Sequence, residues 1–303
     1  MGAPMELTTA ERRALQLIST AGGKLAVLAA DQRVDLAVLL EEGGAREPER
    51  LREIKLEIVE ELGGLASAVL LDPTIGLPAA VDRGALPRET GLLVSLEEDD
   101  TPFHDGLRPS SVDPAVGAAG VRRLGGTAAK LHVWLRPDRE DIDGHTAGVV
   151  RSVIEDCRAH DVLCVVEALT FGLEDEDEAN FERRKPELVR DCAVFLEQCG
   201  AKLLKLEYPG SSEACSAITD AVGVPWAVLS AGVGHDEFVE RLRHALDGGA
   251  IGFIAGRSVW KQAVTDSSSE GRRRALAGEG RRRFEELLAV LDSVGWPLSE
   301  ALA

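Results

Sequence analysis

No run of 18 or more apolar residues occurs in the 303-residue chain, so no membrane-spanning helix is expected. The stretch MGAPMELTTAERRALQLIS lacks the basic-then-apolar order of a secretory signal, and Glu6 stands where a myristoylation signal needs Ser or Thr. A cytoplasmic location is the expectation. Cysteine is sparse: the five, at 157, 164, 192, 199 and 215, are an odd number with no CxxC pair, which reads as small buried residues. The six histidines, at 104, 132, 145, 160, 235 and 244, show neither HxH nor HExxH spacing, so a metal-dependent reaction is not expected and no metal or other cofactor is assigned. Basic charge is in deficit, with 34 Lys and Arg against 52 Asp and Glu and a net charge of −18. That argues against nucleic acid and anionic membranes as partners, which require a basic field. An anionic ligand must then be held by a local basic cluster and by backbone amides.

With 45% apolar and 28% charged residues, the composition is that of a soluble globular protein with a substantial core. A first helix is expected from Thr8-Thr9-Ala10-Glu11, which has the spacing of a capping box. Eight short aliphatic or β-branched runs then follow: KLAVLAA (24–30), SAVLLD (67–72), GLLVSL (91–96), AAKLHV (128–133), VLCVVEA (162–168), KLLKLEY (202–208), WAVLSAG (226–232) and GFIAGR (252–257). Helical periodicity fills most gaps, at 47–63, 145–161, 183–200 and 235–250. Alternating strands and helices imply βαβ units and a parallel sheet. Eight units in about 250 residues, with no Gly-x-Gly-x-x-Gly turn after the first strand, fit a closed (β/α)8 TIM barrel rather than an open sheet. The chain reads as one α/β domain over 1–303, with the stripe in FEELLAVLDSVG closing the barrel near the C-terminus. The acidic run LEDEDEAN (173–180) and the basic runs Arg272–Arg274 and Arg281–Arg283 read as solvated.

In the sixth run, alternation puts Leu203, Lys205 and Glu207 on one face and Leu204, Leu206 and Tyr208 on the other. A buried, unpaired ammonium is costly, so Lys205 is expected at the barrel mouth, where inward side chains near the C-terminal strand ends form the active site. Other strands also carry a polar residue near that end: Asp31 and Gln32, Asp72, Ser95, Lys130 and His132, Glu167, Ser230 and Arg257.

The segments LAVLAADQRVDL, SAVLLDPTIGLP, AAKLHVWLRPD, VVEAL, LLKLEYPG, PWAVLSAGVGHDEF and GAIGFIAGRSVWKQAV span nearly the whole expected barrel. In them the chain resembles the class I aldolases of the tagatose-1,6-bisphosphate aldolase family, which includes the sulfofructosephosphate aldolases. The resemblance implies that Lys205 is the Schiff-base lysine, Lys130 a second site lysine and Glu167 the carboxylate beside them. It matches Asp31 and Gln32 to the Asp-Gln pair after the first strand. Ser230, Gly232, Gly256 and Arg257 match the phosphate-binding turns.

The chemistry of the residues agrees. Breaking a carbon–carbon bond next to a hydroxyl leaves a carbanion that a protonated imine stabilises. An amine with an ordinary pKa of about 10.4 must lose its proton to attack a carbonyl, and desolvation or a neighbouring cation such as Lys130 favours that loss. Glu167 is the expected proton shuttle, with Asp31 as the alternative. Glycines in SAGVG and AGRSVW let amides approach a phosphate, and Arg257 adds a bidentate clamp.

Blander roles stand beside these. Lys205 reads also as an edge lysine, Lys130 as an ion-pair partner of Glu167, Asp31 and Asp72 as turn caps, the glycines as a tight turn and Arg257 as a surface ion pair. His132 reads as a barrel-filling or supporting residue. The leading function is a class I aldolase that reversibly cleaves a ketose 1-phosphate, such as tagatose 1,6-bisphosphate, to dihydroxyacetone phosphate and an aldehyde. Within the family the alternative is a sulfofructosephosphate aldolase, giving sulfolactaldehyde. Outside it stands a non-catalytic sugar-phosphate-binding regulatory barrel, which would not need the charged trio. The far end of the substrate is expected to meet loops 99–112 and 171–182, and a homo-oligomer is expected.

Overall fold

The computed structural model describes residues 7–40, 48–98 and 106–294. Eight parallel strands close on themselves in chain order: β1 (Leu25–Ala30), β2 (Ala68–Leu71), β3 (Gly91–Ser95), β4 (Ala128–Trp134), β5 (Leu163–Leu169), β6 (Leu204–Leu206), β7 (Trp226–Leu229) and β8 (Gly252–Ala255). All eight expected strands are present, several ending one to three residues early. The architecture is the (β/α)8 barrel that the alternation implied.

Strand parity sorts the core into two layers. Leu25, Val27, Ala29, Leu70, Leu93, Leu163, Val165, Leu203 and Ile254 fill the barrel, while Ala26, Leu28, Val69, Val94, Val166 and Leu204 pack outward under the helices. Continuing the inward parity upward by one step brings the chain to Asp31, Lys130, Glu167 and Lys205. The apolar fill therefore gives way to charge at the C-terminal strand ends.

The helix Thr9–Leu17 forms with the expected capping box: Glu11 N donates to Thr8 Oγ1 at 3.2 Å and Thr8 N to Glu11 Oε2 at 2.7 Å. Its Ala14 and Leu15, with Leu7 and Ile18 alongside, join the barrel-filling cluster and cork the end opposite the charged residues. The Arg281–Ser293 helix packs Phe284 against Phe253 at 5.6 Å between ring centroids. It completes the helical ring, as the stripe in this segment implied.

The expected helices are found at Pro48–Leu62, His145–Ala159, Glu178–Gln198 and His235–Asp247. The third starts five residues before the expected 183, because Asp177 caps it by accepting from Asn180 N at 2.8 Å. The acidic run there is not merely solvated, since Glu176 takes Arg136 Nη1 at 2.6 Å. Arg272 also departs from the solvated reading: it is buried, with Nε 2.7 Å from Glu57 Oε2 and Nη2 3.0 Å from Oε1. Glu57 is itself buried, and a buried carboxylate holds its charge only with a partner. The five cysteines are buried and free, as their spacing implied.

Closure of the ring falls on two glycines. A Cβ on Gly252, whose φ is +150°, would lie 2.0 Å from Leu25 O, and one on Gly256 would lie 2.2 Å from Ala29 O. Only glycine lets β8 lie this close to β1. Among the described residues no helix is long and apolar enough to cross a membrane.

Candidate active site

A cavity of about 630 Å3 opens at the C-terminal strand ends. Its floor is a chain of ion pairs across neighbouring strands. Glu167, on β5, reaches Lys205 Nζ on β6 through Oε1 at 2.9 Å and Lys130 Nζ on β4 through Oε2 at 2.8 Å. Lys130 also donates to Asp31 Oδ2 at 3.1 Å and to Glu97 Oε1 at 2.6 Å. Register explains the contacts, since Glu167 pairs directly with Lys205 and stands beside Val165 and Val166, the partners of Lys130 and Leu131.

The cluster is buried, so burial opposes every charge in it. For Glu167 the nearby Lys130 and Lys205 outweigh burial and hold the carboxyl well below the usual range. Asp31 is lowered in the same way, burial again being overcome by Lys130 and Lys205. Burial also opposes the Lys130 charge, but Asp31, Glu167 and Glu97 together hold its ammonium well above the usual value. Lys130 is thus a fixed cation inside a ring of carboxylates. Burial pushes the His132 imidazole down, which keeps it neutral.

The expected phosphate elements meet on the β7–β8 side, next to β6. After β7, Ala231 (φ +49°) and Gly232 (φ +74°) are consecutive left-handed residues, and Gly234, at the N-cap of the next helix, supplies no side-chain acceptor. A Cβ on Gly232 would lie 3.3 Å from Arg257 Nε, so the two turns adjoin. Such a run of amides beside a helix N-terminus and a guanidinium can hold an anion. Arg257 Nη1 here lies 2.7 Å from Asp35 Oδ2, an exposed pair at the cavity rim. Gln32, Ser230 and Gly256 also line the cavity, and Asp31 Oδ1 and Gln32 Oε1 have no hydrogen-bond partner among the described residues.

Asp72 does not join them. It pairs with Lys55, both fully buried, and accepts from the amides of Thr74, Ile75 and Gly76, the cap role open to it in the sequence. His132 lines the cavity and packs edge-on against Trp134 at 5.1 Å. Glu97 was missed, although Leu93, Ser95 and Glu97 continue one inward parity past the end of β3. Glu207, two residues past Lys205 on its face, accepts from Thr170 N at 2.8 Å and Lys185 Nζ at 2.9 Å, holding the loop after β5 against β6. Among the described residues no group of three or more His, Cys, Asp or Glu is arranged to hold a metal ion.

A barrel whose strand ends gather two lysines and three carboxylates beside a wall of amides and a guanidinium has the form of an aldolase. The family model for DeoC/LacD family aldolases matches residues 25–262, and the chain belongs to that family. It is 29% identical over 330 aligned positions to tagatose 1,6-diphosphate aldolase 2 of Streptococcus pyogenes, covering 98% of this chain and 99% of that protein. Against tagatose 1,6-diphosphate aldolase of Lactococcus lactis the identity is 28%, with the same shares covered. Among solved structures, an archaeal fructose-1,6-bisphosphate aldolase whose catalytic Lys is bound to a carbinolamine intermediate superposes with a TM-score of 0.65 at 18% identity, covering 92% of this chain and 99% of that one. The fructose-bisphosphate aldolase of Slackia heliotrinireducens gives a TM-score of 0.64 at 16% identity, covering 97% and 94%. These two likenesses bear on the fold.

Proposed function

We propose that the protein is a single-domain class I aldolase that cleaves a ketose 1-phosphate, of which tagatose 1,6-bisphosphate is the leading example, to dihydroxyacetone phosphate and an aldehyde. The observation that carries the reading is Glu167 bridging Lys205 and Lys130, one oxygen on each. Lys205, as the free amine, attacks the C2 carbonyl. The carbinolamine takes a proton on its oxygen and loses water, leaving a protonated imine. Glu167, ionised and held by Lys130 through Oε2, turns Oε1 toward the reacting atoms and accepts the proton of the C4 hydroxyl. The C3–C4 electron pair becomes the C2–C3 double bond of the enamine as the C=N π pair moves to the nitrogen, the aldehyde departs, and the enamine takes a proton at C3 before water hydrolyses the imine. Asp31 is the second carboxylate within reach. The C1 phosphate occupies the wall of Ser230, Gly232, Gly256 and Arg257, next to Lys205, as the adjacency of C1 and C2 demands. The reading carries with it a cytoplasmic homo-oligomer with no nucleic-acid or membrane partner, the last two from the net charge of −18.

Borohydride reduction with dihydroxyacetone phosphate tests it. Irreversible inactivation is expected, with added mass at Lys205 and none in Lys205→Met, while EDTA leaves activity unchanged. Loss of activity on chelation, restored by zinc, overturns the reading.

A further inference from the structure

Asp31 stands one residue past the end of β1, whereas Lys130, Glu167 and Lys205 lie within their strands. Side chains hold the chain there. Trp260 Nε1 donates to Ala29 O at 2.9 Å, and Lys55 Nζ donates to Ala30 O at 2.7 Å. Lys55 also pairs with Asp72, the residue after β2, and so ties the ends of the first two strands together. Asp72 is fixed in turn by the amides of Thr74, Ile75 and Gly76. The pair fits tightly against Gly76, where a Cβ would lie 3.0 Å from Asp72 Oδ1 and 3.1 Å from Lys55 Cδ.

Stability does not account for this pair. Both side chains are fully buried, and burial, the largest influence on Lys55, pushes its ammonium below the usual value despite Asp72. Replacing a buried ion pair by neutral side chains of similar volume is often neutral or stabilising, so its presence calls for another reason. What it fixes is the peptide that leads into Asp31. Asp31 holds Lys130 at 3.1 Å, and that ammonium holds Glu167 at 2.8 Å. Lys55 also attracts the Asp31 carboxylate from the helix layer, while Lys130, Lys205 and Glu167 act on it from the neighbouring strands. Neither Lys55 nor Asp72 lines the cavity.

We propose that Lys55, held by Asp72, is a positioning residue for the aldol chemistry: it fixes the Ala30–Asp31 peptide so that Asp31 stays on Lys130 and the charged floor keeps its shape. The proposal rests on the Schiff-base reading and extends it to a pair that touches neither substrate nor imine.

Exchange of the C3 hydrogen of dihydroxyacetone phosphate with deuterated water, which passes through the enamine and needs no aldehyde, tests it. Lys55→Met/Asp72→Asn removes both charges and keeps the volumes. Borohydride trapping of dihydroxyacetone phosphate is expected to persist in it, while the exchange rate at saturation falls roughly 10- to 100-fold, the effect that a shift of about 1 Å can have on a site. The acid limb of the exchange profile is expected to move to higher pH, because Asp31 loses the attraction of Lys55 and its firm hold on Lys130. In an Asp31→Asn background the double change is expected to cost nothing further, since it acts through that one carboxylate. A lowered urea midpoint with rate and acid limb unmoved overturns the proposal and leaves the pair structural. A slower rate with an unmoved acid limb, or a loss that multiplies the loss from Asp31→Asn, also overturns it. If the double variant does not fold, Gly76→Ala takes its place, pressing on the pair with its charges intact; it must slow exchange with trapping preserved, and a wild-type rate overturns the proposal. Failure of trapping or exchange in the wild type strikes the Schiff-base reading instead.

Discussion

Glu97 holds Lys130 at 2.6 Å through one carboxylate oxygen and accepts the His132 amide at 3.1 Å through the other, tying the end of β3 to β4 at the site. Glu97 does not touch Lys205, so it acts through Lys130. Glu97→Gln keeps the shape and removes one of three charges around the ammonium. Dihydroxyacetone phosphate binding is expected to hold while kcat falls, and the alkaline limb of the kcat profile is expected to move to lower pH as Lys130 loses part of its stabilisation. Loss of a charged partner of the buried Lys130 is also expected to lower stability to urea by about 1–3 kcal/mol. A kcat within twofold of wild type with an unmoved profile would leave Glu97 a structural tie.

Glu167→Gln tests the shuttle. The amide keeps the shape but has one acceptor oxygen for the two lysines and takes up no proton, so turnover is expected to fall roughly 10²- to 10⁴-fold while imine trapping persists. If turnover stays within a few-fold of wild type, Asp31 becomes the base.

Arg257 and Asp35 bear on phosphate binding in opposite senses. Arg257→Ala leaves the Gly232 and Gly256 amides in place, so the affinity for dihydroxyacetone phosphate is expected to drop roughly 10- to 150-fold, with little change for unphosphorylated dihydroxyacetone. Asp35→Ala frees the guanidinium from its 2.7 Å partner and is expected to tighten the phosphate ligand alone. Equal weakening of both ligands by Arg257→Ala would mean that Arg257 supports the barrel instead.

The buried cluster sets two limits on stability with pH. Against the opposition of burial, Lys130 and Lys205 hold Asp31 and Glu167 below their usual values. Their contribution is therefore complete above an unfolded carboxylate pKa of about 4 and is lost as pH falls through the folded values. For Lys130, also buried, Asp31, Glu167 and Glu97 raise the ammonium, so its contribution is complete below about pH 10 and is lost as pH rises through the folded value. Between these limits neither the carboxylates nor Lys130 adds a slope to the thermal melts. His132, held neutral by burial, is expected to lower stability already as pH falls below about 6.5, where the unfolded chain takes up its proton. In Lys130→Met the acid loss is expected to begin at higher pH; an unmoved acid limb would show that the carboxylates do not depend on Lys130.

The barrel was legible because aliphatic runs and amphipathic helices are local signals, and because inward parity carries the same rule from Leu203 to Lys205 without reference to any partner. Residues set by long-range pairing were not. Arg272 finds Glu57 across 215 positions of chain, and nothing in a basic run distinguishes the one arginine that is covered. Asp72 sits at a strand end like the site residues, yet its partner is Lys55 on the preceding helix, Pro48–Leu62, rather than a group in the mouth. Glu97 escapes the strand rule because it stands past the end of β3, where alternation no longer assigns a face. Of loops 99–112 and 171–182, named for the far end, 99–105 lie outside the described residues, while 106–112 supply Arg108 at the cavity.

The seam between β8 and β1 has a consequence for assembly. A closed ring has no free strand edge, so no neighbouring molecule can extend it by pairing. With Leu25 O and Ala29 O within 2.2 Å of where two side chains would begin, the whole sheet is kept from offering such edges by the absence of two methyl groups, at Gly252 and Gly256. Prying that seam apart would expose two templates for intermolecular pairing at once. Two glycines at the seam thus guard the molecule against polymerising, and one of them, Gly256, also lines the cavity.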